Sequence, residues 1–205
     1  IDQFDLNINP LEPGLFFIPI IVTGILVLVI SIIIKFKAIK LRSINLSKKY
    51  SYISIIIILS IFTVLTYEDV AKPEIYTDWD SMVEAVSEWP PEKISFGHHV
   101  KMFLLSSSFT IFGNYKVIPF LGSIALIFMT YVLTNKITDS RLAGVIASVI
   151  VLQSNLFLSF STTAVYSNFW VLFYIISLFM VVHKTWFLYP ITYAMSIFSK
   201  ILSIT

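Results

Sequence analysis

Apolar residues fall in long blocks along this chain, with short polar stretches between them. The blocks cover residues 15–34, 51–67, 117–135, 142–160, 169–182 and 186–203. Crossing about 30 Å of hydrocarbon takes about 20 apolar residues in a helix, so each block predicts a transmembrane span. The first block is long for a signal-peptide core. It lacks a basic segment before it and a small-residue cleavage site after it. Strand alternation, heptads and internal repeats are absent from the pattern.

Three polar stretches carry predictions of their own. Residues 99–113 are too short and too polar for a span, yet Met102, Leu105, Phe109 and Phe112 recur at helical spacing. They predict a helix lying at the outer interface, stopped by Gly113-Asn114. Residues 78–89 predict a short helix closed by Pro90-Pro91, with Thr77 as N-cap and Asp80 at the third helical position, as in a capping box. Ser161 to Asn168 predicts a polar outer elbow between two spans, the second starting within it.

Charge gives the elements their sides. Lys35, Lys37, Lys40, Arg42, Lys48 and Lys49 occupy residues 35–50 without an acid, which places that loop in the cytoplasm. Residues 68–98 hold Glu68, Asp69, Glu74, Asp78, Asp80, Glu84, Glu88 and Glu92 against Lys72 and Lys93, which places this acidic loop outside. The expected architecture is an all-α polytopic membrane protein of the cell membrane, with about six transmembrane helices and one outer interfacial helix. It divides into an N-terminal span with its basic loop (1–50) and a membrane domain (51–205). The chain starts at Ile1 and stops in an apolar run at Thr205, and is expected to be part of a longer polypeptide.

Composition narrows the function classes. The chain is 57% hydrophobic and 13% charged, where soluble domains average about 25% charged residues. Its mean hydropathy is +0.88. The absence of cysteine excludes disulfides, thiolate chemistry and Cys-ligated metals. The basic residues sit mostly beside spans, which argues against nucleic acid as a partner. Span centres are nearly free of ionisable residues, which argues against an ion or proton pathway.

From about residue 52 onward, an ordered series of motifs resembles the N-terminal part of the GT-C glycosyltransferases, membrane enzymes such as protein O-mannosyltransferases and aminoarabinose transferases. The series runs from Asp78-Trp-Asp80 through a helix to Trp89, then Gly97-His98-His99-Val100 and Phe112-Gly113. It continues with Lys116-Val-Ile-Pro119, Gly122, Tyr131, Ser140-Arg-Leu-Ala-Gly144 and Ser196-Ile-Phe-Ser-Lys200. The match covers about three quarters of the chain. Residues 1–34 lie outside the usual pattern, His99 and Val100 replace paired prolines, and the elbow lacks the acid or Arg of several subfamilies.

The resemblance implies transfer of a sugar from a polyprenyl-phosphate donor to an extracytoplasmic acceptor. An aspartate of the first outer loop would take the acceptor's proton, here Asp80 first and Asp78 second. A carboxylate near the bilayer surface suits that task if partial desolvation raises its pKa, and the leaving lipid phosphate needs cationic stabilisation.

Each residue has a plainer reading beside this one. Asp80 could instead complete a helix cap, with Asp78 solvated. Asp80 and Glu84, one helical turn apart, could hold a divalent cation as in some members, or form a solvated face. His98 and His99 could orient a phosphate or a metal, or pack at the interface. Lys101 and Lys116 could meet the lipid phosphate or snorkel to water. Lys200, near the outer end of an apolar helix, needs lipid phosphate or headgroups. Tyr166, Asn168 and Thr163 could line a cavity or cap helix ends. The competing class is a non-catalytic structural or assembly subunit, whose partners would be the other protein subunits of a larger membrane complex.

Overall fold

The structure, a computed structural model, describes residues 46–74, 76–90 and 98–199. The chain divides into two units, Ile1–Ile44 and Asn45–Thr205, and the described residues belong to the second. The expected span at 15–34, most of the basic loop 35–50, and Lys200 lie outside the described residues.

Among the described residues the regular structure is entirely helical: α1 Lys48–Ala71, α2 Trp79–Ser87, α3 His99–Phe112, α4 Val117–Thr138, α5 Arg141–Leu152, α6 Asn155–Ser161, α7 Phe169–Val182 and α8 Leu188–Ser199. Two of them, α1 and α4, are long and apolar enough to cross a membrane. A third crossing is reached if α5 and α6 count as one broken span. Among the described residues helix length thus supports two or three crossings of the expected six: α7, for example, has 14 residues, about 21 Å at 1.5 Å per residue.

The local sequence explains the helix ends. Ser47 caps α1, its side chain accepting the Tyr50 N–H at 3.5 Å. At the other end Lys72 turns extended, as the residue before Pro73 must. Pro119 sits in the first turn of α4, where N–H groups have no intrahelical partner in any case. Gly113 ends α3 in the left-handed conformation (φ 67°), with its N–H on the Phe109 carbonyl at 2.8 Å. The expected stop signal is thus a C-terminal cap.

The expected single span 142–160 is two helices bent by 73°. Gln153-Ser154-Asn155 interrupts its apolar run. Gln153 caps α5, and the Ser154 side chain starts α6 by accepting the Phe157 N–H at 3.2 Å. A polar residue able to cap a new helix offers the backbone an alternative to continuing the old one.

The core lies between α1, α4, α6 and α7. Phe62 of α1 is fully buried, stacked on Phe120 at 5.7 Å and tilted against Phe157 at 5.6 Å. On the other face of α1, Ile53, Ile56, Ile57, Ile61, Val64 and Leu65 point outward. Such a row is costly in water and neutral in hydrocarbon.

Small residues bring the helices close, as membrane bundles require. A Cβ on Gly144 would lie 2.7 Å from the Tyr131 carbonyl oxygen, so α5 rests directly on the α4 backbone. Buried serines bridge neighbouring helices. Ser148 donates to the Ile127 carbonyl at 3.2 Å, Ser123 to that of Ser161 at 3.2 Å, and Ser196 of α8 to that of Trp170 at 2.7 Å.

Each end of the bundle has its own ties. At one end Ser51 and Tyr131 share a hydroxyl–hydroxyl bond, and the Arg141 guanidinium donates to the Leu46 carbonyl at 3.2 Å. At the other, Lys116 closes the C-terminus of α1. Its ammonium donates to the carbonyls of Lys72 at 2.8 Å and Asp69 at 3.1 Å, and the residue is only 7% exposed. A buried cation on the last carbonyls of a helix satisfies them and meets the negative end of its dipole.

Candidate functional site

Three segments far apart in sequence meet at the Lys116 end: the loop after α1 with α2, the start of α3, and the elbow 161–168. The elbow is almost wholly buried, with Tyr166 as its exposed residue. It is held from several directions. The Asn168 amide donates to the Phe157 carbonyl at 3.4 Å and the Ser123 hydroxyl at 3.5 Å. Glu74 accepts the Ala164 N–H at 3.0 Å, and the Lys101 ammonium donates to the Val165 carbonyl. The hydroxyls of Thr163 and Ser167 are buried without a hydrogen-bond partner among the described residues.

Held this way, the elbow presents one side chain. The Tyr166 hydroxyl donates to a carboxylate oxygen of Asp78 at 3.1 Å. Its ring meets Tyr76 edge-on at 4.8 Å and lies 5.3 Å from Phe160. Donation to Asp78 holds the Tyr166 phenol above its ordinary range, with burial and the Asp78 charge adding to the effect. Burial raises the Tyr76 phenol as well, helped by the charge of Glu74.

Beside this bond lies a hollow of about 320 Å³, lined among others by Asp78, Ser81, Met82, His98, Lys101 and Tyr166. One wall thus carries a carboxylate and a phenol, and another an ammonium and an imidazole. Such a set can accept a proton from a hydroxyl, donate to an anionic oxygen, and hold a polar ligand between the two.

Four of the expected site residues therefore come together: Asp78, His98, Lys101 and Tyr166. The others do not join them. Asp80 and Glu84 are exposed on α2 and do not line the hollow. The expected capping box at Thr77 is not formed. The helix begins one residue later, with Asp78 at the N-cap position, its side chain making no cap bond and instead receiving the Tyr166 hydroxyl. Asp80 falls at the second helical position in consequence.

Lys116 serves α1, as described above. No cluster of three or more His, Asp or Glu occurs among the described residues, so the Asp80–Glu84 pair does not fit a cation site of that kind. His99 opens α3, and its ring lies 5.4 Å from that of Trp89.

Sequence reasoning did not single out Glu74, Tyr76 or Ser81. Glu74 and Tyr76 shared only membership of the acidic loop with Asp78, and their partners Ala164 and Tyr166 follow 90 residues later. Ser81 stands one helical turn after Asp78 and donates to its carbonyl at 3.1 Å. That i, i+3 spacing was the available signal. Comparison with protein-family models, curated proteins and solved structures finds no match to this chain.

Proposed function

We propose that the chain is the membrane portion of a glycosyltransferase of the GT-C type, moving a sugar from a polyprenyl-phosphate donor to an acceptor hydroxyl or amine outside the cytoplasm. In this reading the Asp78 end faces outward, and the shorter apolar helices complete a set of about six spans. The observation that carries it is the meeting of Asp78, Tyr166, His98 and Lys101 around one hollow. Asp78 is the base rather than Asp80, because Asp78 lines the hollow and Asp80, equally exposed, does not. The acceptor oxygen attacks the anomeric carbon while Asp78 takes its proton. The bond from that carbon to the phosphate oxygen breaks, and the lipid phosphate leaves with the electron pair, beside Lys101 and His98.

The test uses source membranes, which contain the acceptor, and a radiolabelled polyprenyl-phosphate sugar. Asp78→Asn lowers label transfer by about 100-fold or more, and Asp80→Asn leaves it within about twofold of wild type. Transfer undiminished in a folded Asp78→Asn protein sinks the base assignment.

A second reading, a structural subunit of a larger membrane complex, draws on a different observation. The ammonium groups of Lys101 and Lys116 both donate to backbone carbonyls. Under that reading Asp78→Asn leaves transfer unchanged, and Lys116→Met disrupts recovery of the complex.

A further inference from the structure

A short polar side chain at the head of a helix ordinarily turns back onto the N–H groups of the first turn, from extended backbone. The serines that cap α1, α5 and α6 do so, with ψ of 153°, 113° and 111°. Asp78 heads α2 with ψ at 8° and makes no cap bond. One of its carboxylate oxygens, Oδ2, takes the Tyr166 hydroxyl at 3.1 Å instead.

Tyr166 is a firm anchor for that oxygen. Its neighbours Val165 and Ser167 are buried. The Val165 carbonyl takes the Lys101 ammonium, and the Ala164 N–H lies on Glu74 at 3.0 Å. The phenol ring meets Tyr76 edge-on at 4.8 Å and lies tilted against Phe160 at 5.3 Å. A phenol has one proton to donate, and this one goes to Asp78. A carboxylate accepts on both oxygens, so the bond leaves Oδ1 able to take a further hydrogen.

We propose that Tyr166 is a positioning residue for the transfer, holding Asp78 off the first turn of α2 by Oδ2 so that Oδ1 meets the acceptor in the hollow. The inference rests on the glycosyltransferase reading above. In the step, an acceptor hydroxyl passes its proton to Oδ1 as its oxygen bonds to the anomeric carbon. The bond from that carbon to phosphate breaks, with its electron pair on the phosphate. Tyr166 keeps its own proton throughout. Without its bond, Asp78 turns back to cap α2 and leaves the acceptor. A base must lie within about 2.6–3.2 Å of the group it deprotonates, and a misplacement of about 1 Å costs up to about 100-fold in rate.

The test uses source membranes in which each variant replaces the wild-type chain. They are supplied with the source's own lipid-linked sugars, radiolabelled during growth and extracted. Tyr166→Phe keeps the ring and removes the donor. Its maximal rate falls about 10- to 100-fold, while the lipid-linked sugar needed for half-maximal rate stays within about twofold of wild type. An unchanged maximal rate overturns the proposal and leaves the glycosyltransferase reading standing. A wild type that transfers no label overturns both.

Amide exchange of the purified full chain reads the bond without activity. Exchange at Asp80 and Ser81 slows about fivefold in Tyr166→Phe, as Asp78 caps them. Unchanged or faster exchange overturns the proposal. Replacement of Tyr166 by 3-fluorotyrosine guards against a phenylalanine variant that fails to fold. It keeps the donor but is more acidic, so the maximal rate falls at lower pH than in the wild type. Superimposable pH profiles overturn the proposal.

Discussion

Tyr166 donates its hydroxyl to Asp78 across 88 residues of sequence, and by doing so fixes where the acidic loop sits against the elbow. The bond takes the carboxylate out of the helix-capping role that the sequence around it offers. It also makes the loop's position depend on the protonation of a phenol.

Alkaline pH tests that dependence. The Tyr166 phenol is raised in the folded protein relative to its ordinary value of 10.0, first by its bond to Asp78. A raised phenol means that the folded state keeps its proton where the unfolded state has lost it. The stability it contributes is fully present below pH 10 and is lost as pH rises through the folded value. Tyr76, also raised, acts in the same direction. Thermal unfolding measured at rising pH should weaken above about pH 10, and Tyr166→Phe should flatten that decline. Identical profiles for wild type and variant would show that the bond does not contribute.

Gly144→Ala asks whether α5 really rests on α4. The new methyl would lie 2.7 Å from the Tyr131 carbonyl oxygen and 2.8 Å from its ring. Backbone cannot yield cheaply, so the cost is about 1–3 kcal/mol, seen as a lower unfolding temperature in detergent. Gly122→Ala is the gentler comparison, at 3.1 Å from the movable ring of Phe169. Equal melting temperatures for both variants and wild type would contradict the close approach.

Lys116→Met removes the donor from the end of α1 and leaves the Asp69 and Lys72 carbonyls unsatisfied. A lost partner for buried acceptors costs about 1–3 kcal/mol. Amide exchange of the last turn of α1 should quicken, while that of α7 stays as it was. If exchange at residues 68–72 is unchanged, the cap is not contributing.

Much of the helical layout was legible from the chain. The 169–182 block and α7 share both boundaries, because Asn168 and His183 bracket a run that is apolar but for Ser177; the helix begins at Phe169, after the elbow and not within it as expected. Gly113 marked the end of α3 because a left-handed cap favours glycine. The broken span was less legible. Gln153, Ser154 and Asn155 are three polar residues in a long apolar context, and hydropathy averaged over the block hides them. Placement of the site was least legible of all. Asp78 and Asp80 look alike in sequence, and the choice between them is made by Tyr166, which no local pattern connects to either. Lys116 resembled a snorkelling lysine because a helix C-terminus some 44 residues earlier cannot be seen from its neighbours.

The Lys116 contact bears on how the chain is built as well as on how it stands. During synthesis α1 emerges well before residue 116, so for that interval its final carbonyls have no ammonium to meet. Those carbonyls, at Asp69 in the last turn of α1 and at Lys72 just beyond it, are left to water until Lys116 arrives. Completion of α1 is thereby deferred to the arrival of residue 116, at the start of α4.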